Sequence, residues 1–195
     1  MIVRCATSNA GKLGEFRLAG ERSGAFTVEA LPNLRDIAPP DENGATFEEN
    51  AIQKAVYYGA FTPGWLFADD SGLEVNALGG APGVYSARYA GPGASDAANN
   101  ALLLEKLRGV EDRTARFVCA IGLVRDGKLV KTFRGEVEGR IIDDARGAHG
   151  FGYDPLFFYP PFGCTFGEAD AERKAEISHR AKALRHMFAF LSSLS

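Results

Sequence analysis

The chain predicts an α/β fold, a single domain over residues 1–195 with enough length for two lobes. Three observations carry that expectation. Apolar runs of strand length recur between longer runs whose apolar residues have helical spacing. Two long β-type runs, 114–125 and 128–138, are joined by Asp126-Gly127, a dipeptide that favours a tight hairpin. The first of them is apolar on both faces, Val118, Ala120, Gly122 and Val124 alternating with Phe117, Cys119, Ile121 and Leu123, which places it centrally in a sheet.

Residues 2–7 form the first strand, which runs into Thr7-Ser8-Asn9-Ala10-Gly11-Lys12. A helix follows, packed through Leu13, Phe16 and Leu18, with Gly20 near its end. Strand, small polar turn and helix together aim backbone N–H groups and a positive helix end at an anion. Lys12 adds a point charge suited to phosphate. The spacing is not that of a P-loop, and plain helix capping accounts for such a turn equally well.

Residues 27–31 read as a brief strand and 32–45 as a loop, with prolines at 32, 39 and 40 and acids at Asp36, Asp41 and Glu42. Thr46 with Glu49 three residues on is a capping box that opens a helix. That helix sets Phe47, Ala51, Ala55 and Tyr58 along one stripe and Asn50 with Lys54, four apart, on another. After Thr62-Pro63-Gly64, residues 65–68 are a buried strand that stops at Asp69-Asp70, and 73–75 are a second short strand. Carboxylates at the end of a buried strand are costly to desolvate unless a cation or donor meets them. Because successive strand residues face opposite sides, only one of the two acids can face a site, and the other becomes a structural acceptor.

A glycine-rich loop with Tyr85, Arg88 and Tyr89 follows, and Ser95 caps a helix through Leu107. Past the hairpin, a bend at Gly139 lets its second strand extend to 142. A second glycine-rich stretch, 147–155, carries His149, Phe151, Gly152, Tyr153 and Asp154 and suits the rim of a planar ligand. Residues 156–159 make a last short strand. One C-terminal helix closes the chain, its start holding Lys174, Ser178, His179 and Arg180 and its apolar face Leu184, Met187, Phe188 and Leu191.

Net charge is −3, which leaves no electrostatic excess for a nucleic-acid backbone. Cys5, Cys119 and Cys164 are too few and too scattered for a disulfide framework or a zinc site. No window reaches membrane-span length and the first residues do not form a signal segment, so no membrane is expected and a cytoplasmic location is. What remains is a set of acids able to hold a hard cation, beside separated lysines and arginines, with a glycine-aromatic rim. Such a set suits a Mg²⁺-bound polyphosphate with a base attached. An aspartyl-nucleophile phosphatase would also begin from an apolar strand ending in Asp, but that class resembles Asp-x-Asp spacing and these acids are adjacent. A nucleotide-binding module without catalysis has little need for several acids beside a polyphosphate.

Five segments together resemble the inosine/xanthosine triphosphate pyrophosphatases, which clear deaminated purine nucleotides. They are T-S-N-A-G-K at 7–12, T-F-E-E-N-A-I-Q-K-A at 46–55, the run A-D-D-S-G-L-E-V-N-A-L-G-G-A-P-G-V-Y-S-A-R-Y-A-G at 68–91, G-F-G-Y-D-P-L-F at 150–157 and I-S-H-R-A-K-A-L at 177–184. They span the chain in the family's order. The resemblance implies an elongated α/β fold with a long mixed β-sheet flanked by helices, two lobes with a central cleft, and a homodimer. It also implies hydrolysis of a purine nucleoside triphosphate to the monophosphate and pyrophosphate. Carried over by motif, Thr7, Ser8, Asn9, Ala10, Gly11 and Lys12 would hold the triphosphate together with Lys54, Asp70 would be catalytic base and metal contact, Glu42 would bind metal and Ser71 substrate. Phe151, Gly152, Tyr153, Asp154, Lys174, His179 and Arg180 would hold the base and its neighbours. Two departures stand out: Ser8 where many relatives have glycine, and Asp41 beside Glu42, which leaves open which of the two ligates.

Overall fold

A computed structural model describes residues 1–194. Seven strands form one mixed sheet in the order β2-β1-β3-β4-β5-β6-β7. They are β1 (Ile2–Cys5), β2 (Thr27–Ala30), β3 (Trp65–Val75), β4 (Thr114–Arg125), β5 (Lys128–Ile141), β6 (Phe157–Tyr159) and β7 (Cys164–Thr165). β1 pairs in parallel with β2 and β3, whereas β6 is antiparallel to β5 and β7. The helices are α1 (Ala10–Ser23), α2 (Phe47–Gly59), α3 (Asp96–Lys106), α4 (Ala171–Ile177) and α5 (His179–Ser192). β4 is the middle strand, as its two apolar faces require. The hairpin after it turns through Asp126 (φ 50°) and Gly127 (φ 76°), both left-handed, as a type I′ turn demands.

By contact the chain divides into two compact units. Among the described residues the first comprises Met1–Asp70, Cys119–Gly135 and 179–194, and the second Ser71–Val118 and Glu136–Ser178. The first unit has a core of Val3, Phe16, Phe67, Ile121, Met187 and Leu191 among others, with a satellite of Leu31, Ala55, Leu66 and Val124. Leu73, Leu103, Phe117, Leu156, Phe157 and Phe166 are central to the core of the second. Cys5 and Cys119 are buried in the first, and burial pushes both thiols up to about 12. Among the described residues no helix is long and apolar enough to cross a membrane.

Two elements differ from expectation. β3 does not stop at Asp69 but runs unbroken from Trp65 to Val75, with Asp69 and Asp70 inside it. Acids disfavour strands only while nothing compensates their burial, and here lysines and an arginine do. The expected single C-terminal helix is two, because Ser178 is extended (φ −61°, ψ 156°) between α4 and α5. Lys174 therefore sits on α4 in the second unit, while His179 and Arg180 open α5 in the first.

Candidate active site

In the first unit the chemistry gathers at the middle of β3. Strand alternation sends Asp69 and Asp70 to different partners. Lys12 Nζ donates to Asp69 Oδ2 at 2.9 Å, and Arg180 Nε lies 3.9 Å from the same oxygen. Arg180 also donates through Nη1 to Glu15 Oε2. Burial alone would raise the Asp69 carboxyl, but Lys12, Arg180 and Lys54 outweigh it and hold the group at about 2. Asp69 thus accepts from Lys12 with Arg180 close by.

Asp70 meets α2 instead. Asn50 Nδ2 donates to its Oδ2 at 3.2 Å and Lys54 Nζ to its Oδ1 at 2.9 Å, one helical turn apart on the same face. Burial pushes the Asp70 carboxyl above the ordinary range, and the pull of Lys54 does not cancel it. Lys54 Nζ also lies 3.6 Å from Glu42 Oε2, so two carboxylates converge on one ammonium, and Glu42, like Asp41, is exposed. Burial opposes the Lys54 charge, yet Asp70, Asp69 and Glu42 together hold its pKa above normal. α2 comes this close to the sheet because β4 offers Gly122, where a Cβ would stand 2.8 Å from the carbonyl oxygen of Ala51.

The turn before α1 is built by its own side chains. Thr7 Oγ1 accepts from the Asn9 N–H at 3.2 Å, and Asn9 Oδ1 caps the helix by accepting from the Lys12 N–H at 3.0 Å. Ser8, Asn9 and Ala10 are exposed, with Gly11 and Lys12 half-buried. The first turn of a helix leaves N–H groups that no intrahelical carbonyl reaches, so this turn can present donors to an anion.

A second cluster lies in the second unit. Asp154 Oδ2 accepts from Lys174 Nζ at 2.6 Å and from the Phe151 N–H at 2.9 Å. That approach needs Gly150, whose Cβ would lie 2.1 Å from the same oxygen. Lys174 Nζ stands 5.2 Å from the Phe151 ring centroid, within cation–π range. Tyr153 is buried and donates its hydroxyl to the Ser86 carbonyl at 2.8 Å; burial chiefly, then Tyr89 and Asp96, raises its pKa. Tyr153 and Asp154 thereby brace the loop, while Phe151 and Gly152 are half-buried. Ser71, half-buried, is the next residue of β3 after Asp70.

The sites brought together are therefore Lys12 with Asp69 and Arg180, Asp70 with Lys54 and Glu42, and Phe151 with Asp154 and Lys174. Arg180 contacts Asp69 and Glu15, and Lys174 contacts Asp154. Glu15 was not legible as a partner, since 165 positions separate it from Arg180. Asn50 was legible as a neighbour of Lys54 through its helical spacing, though not as a ligand of Asp70.

The α/β sheet thus buries two adjacent carboxylates, each under a lysine of its own. The chain belongs to the Ham1 family, whose pattern matches residues 3–190. A protein of an Exiguobacterium strain named dITP/XTP pyrophosphatase is 52% identical over 182 residues, covering 93% of this chain and 92% of its own. One of the same name from Acidobacterium capsulatum is 48% identical over 195 residues, covering 95% of this chain and 96% of that one. The structure of the Staphylococcus aureus Ham1 protein superposes with a TM-score of 0.87 at 40% identity, each chain covered in full.

Proposed function

We propose that this protein hydrolyses non-canonical purine nucleoside triphosphates, dITP, XTP and ITP, to the monophosphate and pyrophosphate, removing deaminated purines from the nucleotide pool. The observation that carries the reading is the division of labour at β3: Asp69 is held ionised by Lys12 and Arg180, while Asp70 keeps a raised pKa between Lys54 and Asn50. A carboxylate raised towards the working pH is suited to take a proton from attacking water. Asp70 is assigned that role: it accepts the water proton as the new P–O bond forms at the α-phosphorus and the bond to pyrophosphate breaks. The names of the relatives, dITP/XTP pyrophosphatase, support the same substrates.

Glu42 and Asp70 fit a Mg²⁺ ion. Both lie within 4 Å of the Lys54 ammonium, so their oxygens already converge on one positive centre. Mg²⁺ commonly takes one or two protein carboxylates and completes its shell with phosphate and water. When bound, the ion supplies Lewis-acid polarisation of the phosphoryl oxygens. Thr7, Ser8, Asn9, Ala10, Gly11 and Lys12, with Lys54, are assigned to the triphosphate, and Ser71 to the substrate beside the base catalyst.

Phe151, Gly152, Tyr153, Asp154, Lys174, His179 and Arg180 are assigned to the purine and its neighbours. The Phe151 ring stacks on any purine, and the donors select: a 6-oxo group accepts from them, whereas the amino group of adenine would leave them unpaired. The two units act in this reading as one functional domain, as a cytoplasmic homodimer. A nucleotide panel read for both products tests it. Pyrophosphate from dITP, XTP and ITP is the expected result; orthophosphate alone would make it a phosphatase, and neither product a binding module.

A further inference from the structure

Stacking on a purine gains affinity only if the aromatic side chain is already held, because ordering a loop at the moment of binding costs free energy. Phe151 sits between Gly150 (φ 75°) and Gly152 (φ 63°), two residues with the widest backbone freedom. Asp154 holds the Phe151 N–H and Tyr153 the next turn, and α3 holds Gly152. Asp96 Oδ2 accepts from the Gly152 N–H at 2.7 Å, and Asn100 Nδ2 donates to the Gly152 carbonyl at 3.1 Å. The two are four apart on one helix face and take both backbone polar groups of one residue. The residue between turns the other way: Asn99 Oδ1 accepts from the Ala90 N–H at 2.8 Å and its Nδ2 donates to the Ala87 carbonyl at 3.3 Å. α3 therefore brackets both glycine-rich stretches of the second unit, which the Tyr153 hydroxyl also ties together through Ser86. Helix capping needs only Ser95, which accepts from the Ala98 N–H at 3.2 Å, so it leaves Asp96 free for the loop.

We propose that Asp96 and Asn100 are positioning residues that lock Gly152 and so set the enzyme's affinity for the purine base without touching it. The inference rests on the reading that Phe151 meets the base. The experiment compares KM and kcat for dITP in Asp96→Ala, Asn100→Ala and Phe151→Ala, with tripolyphosphate as a competitor that lacks a base. Each clamp variant should raise KM about tenfold, the scale of one lost hydrogen bond to an ordered group, with kcat within about twofold and the inhibition constant of tripolyphosphate unmoved. Asp96→Asn should restore most of the affinity, because its amide oxygen still accepts from Gly152, a rescue that a purely electrostatic role at the helix start would not give. Asn100→Asp keeps the shape and turns the donor into an acceptor, and reads the same loss if an alanine variant fails to fold. If Phe151→Ala raises KM while the clamp variants stay at the wild-type value, the clamp is overturned and the base loop stands. If Phe151→Ala leaves KM unchanged, the base-loop reading itself falls. Equal weakening of dITP and tripolyphosphate in the clamp variants would mean general damage and would also overturn the proposal.

Discussion

Asp69 and Asp70 differ in which lysine reaches them, and their titration follows. Asp69 is depressed from 3.8 to about 2, so its contribution to stability is complete above the unfolded value and is lost as pH falls towards 2. Asp70 is raised, so the proposed base would work only on the alkaline side of a pKa above the ordinary carboxylate range. Asp70→Asn keeps the shape and cannot take a proton; turnover should fall on the order of 10²-fold or more with the fold intact. Activity near wild type in that variant would move the role to another acid. The acid limb of the kcat/KM profile gives a sharper check. Lys54 lowers the Asp70 pKa, so Lys54→Ala should move that limb to higher pH as well as weaken triphosphate binding. A limb that stays in place, or moves down, would mean that Asp70 is not the group being titrated.

At the scale of elements, the legible parts were those whose signals lie within a few residues of each other. Asp126-Gly127 specifies its own turn, and Thr46 caps α2 by accepting from the Glu49 N–H. The capping box closes one residue early, since Glu49 Oε2 accepts from Ala45 rather than from Thr46. The continuity of β3 was not legible, because its acids are stabilised by Lys12 and Arg180, 57 and 111 positions away from Asp69. Nor was the break at Ser178, where no proline or glycine marks a stop. Of the residues expected at a site, Asp70, Lys54 and Glu42 lie together, but the pairing of Arg180 with Glu15 depends on how α1 and α5 pack. That packing logic gives an expected outcome at Gly122. A methyl group there meets the α2 backbone at Ala51 below normal contact distance, so Gly122→Ala should push back the helix that carries Asn50 and Lys54. Thermal denaturation should read a loss of about 1–3 kcal/mol, with activity falling alongside it; a fully stable and active variant would show that α2 can shift without disturbing Asp70.

For the whole molecule, the proposed selectivity of the donors and the proposed need for a divalent ion combine into one assay. ITP, dITP and XTP should be cleaved and ATP hardly at all, by a factor of roughly 10⁴, with activity abolished by chelator and restored by Mg²⁺. Comparable ATP cleavage would remove the donor-based account, and full activity in excess chelator the metal. The path of the chain adds something different. It passes from one unit to the other after Asp70, Val118, Gly135 and Ser178, and β3, β4 and β5 each continue through such a passage without a linker. No single cut in the gene can separate the two cores: severed at residue 70, the shorter piece lacks Cys119–Gly135 and the whole of α5, and the longer keeps fragments of a core it cannot close. Recombination therefore has no place to exchange one half of this protein for another. The halves are inherited together, and a change in the core of one is always tried beside the other core it was born with.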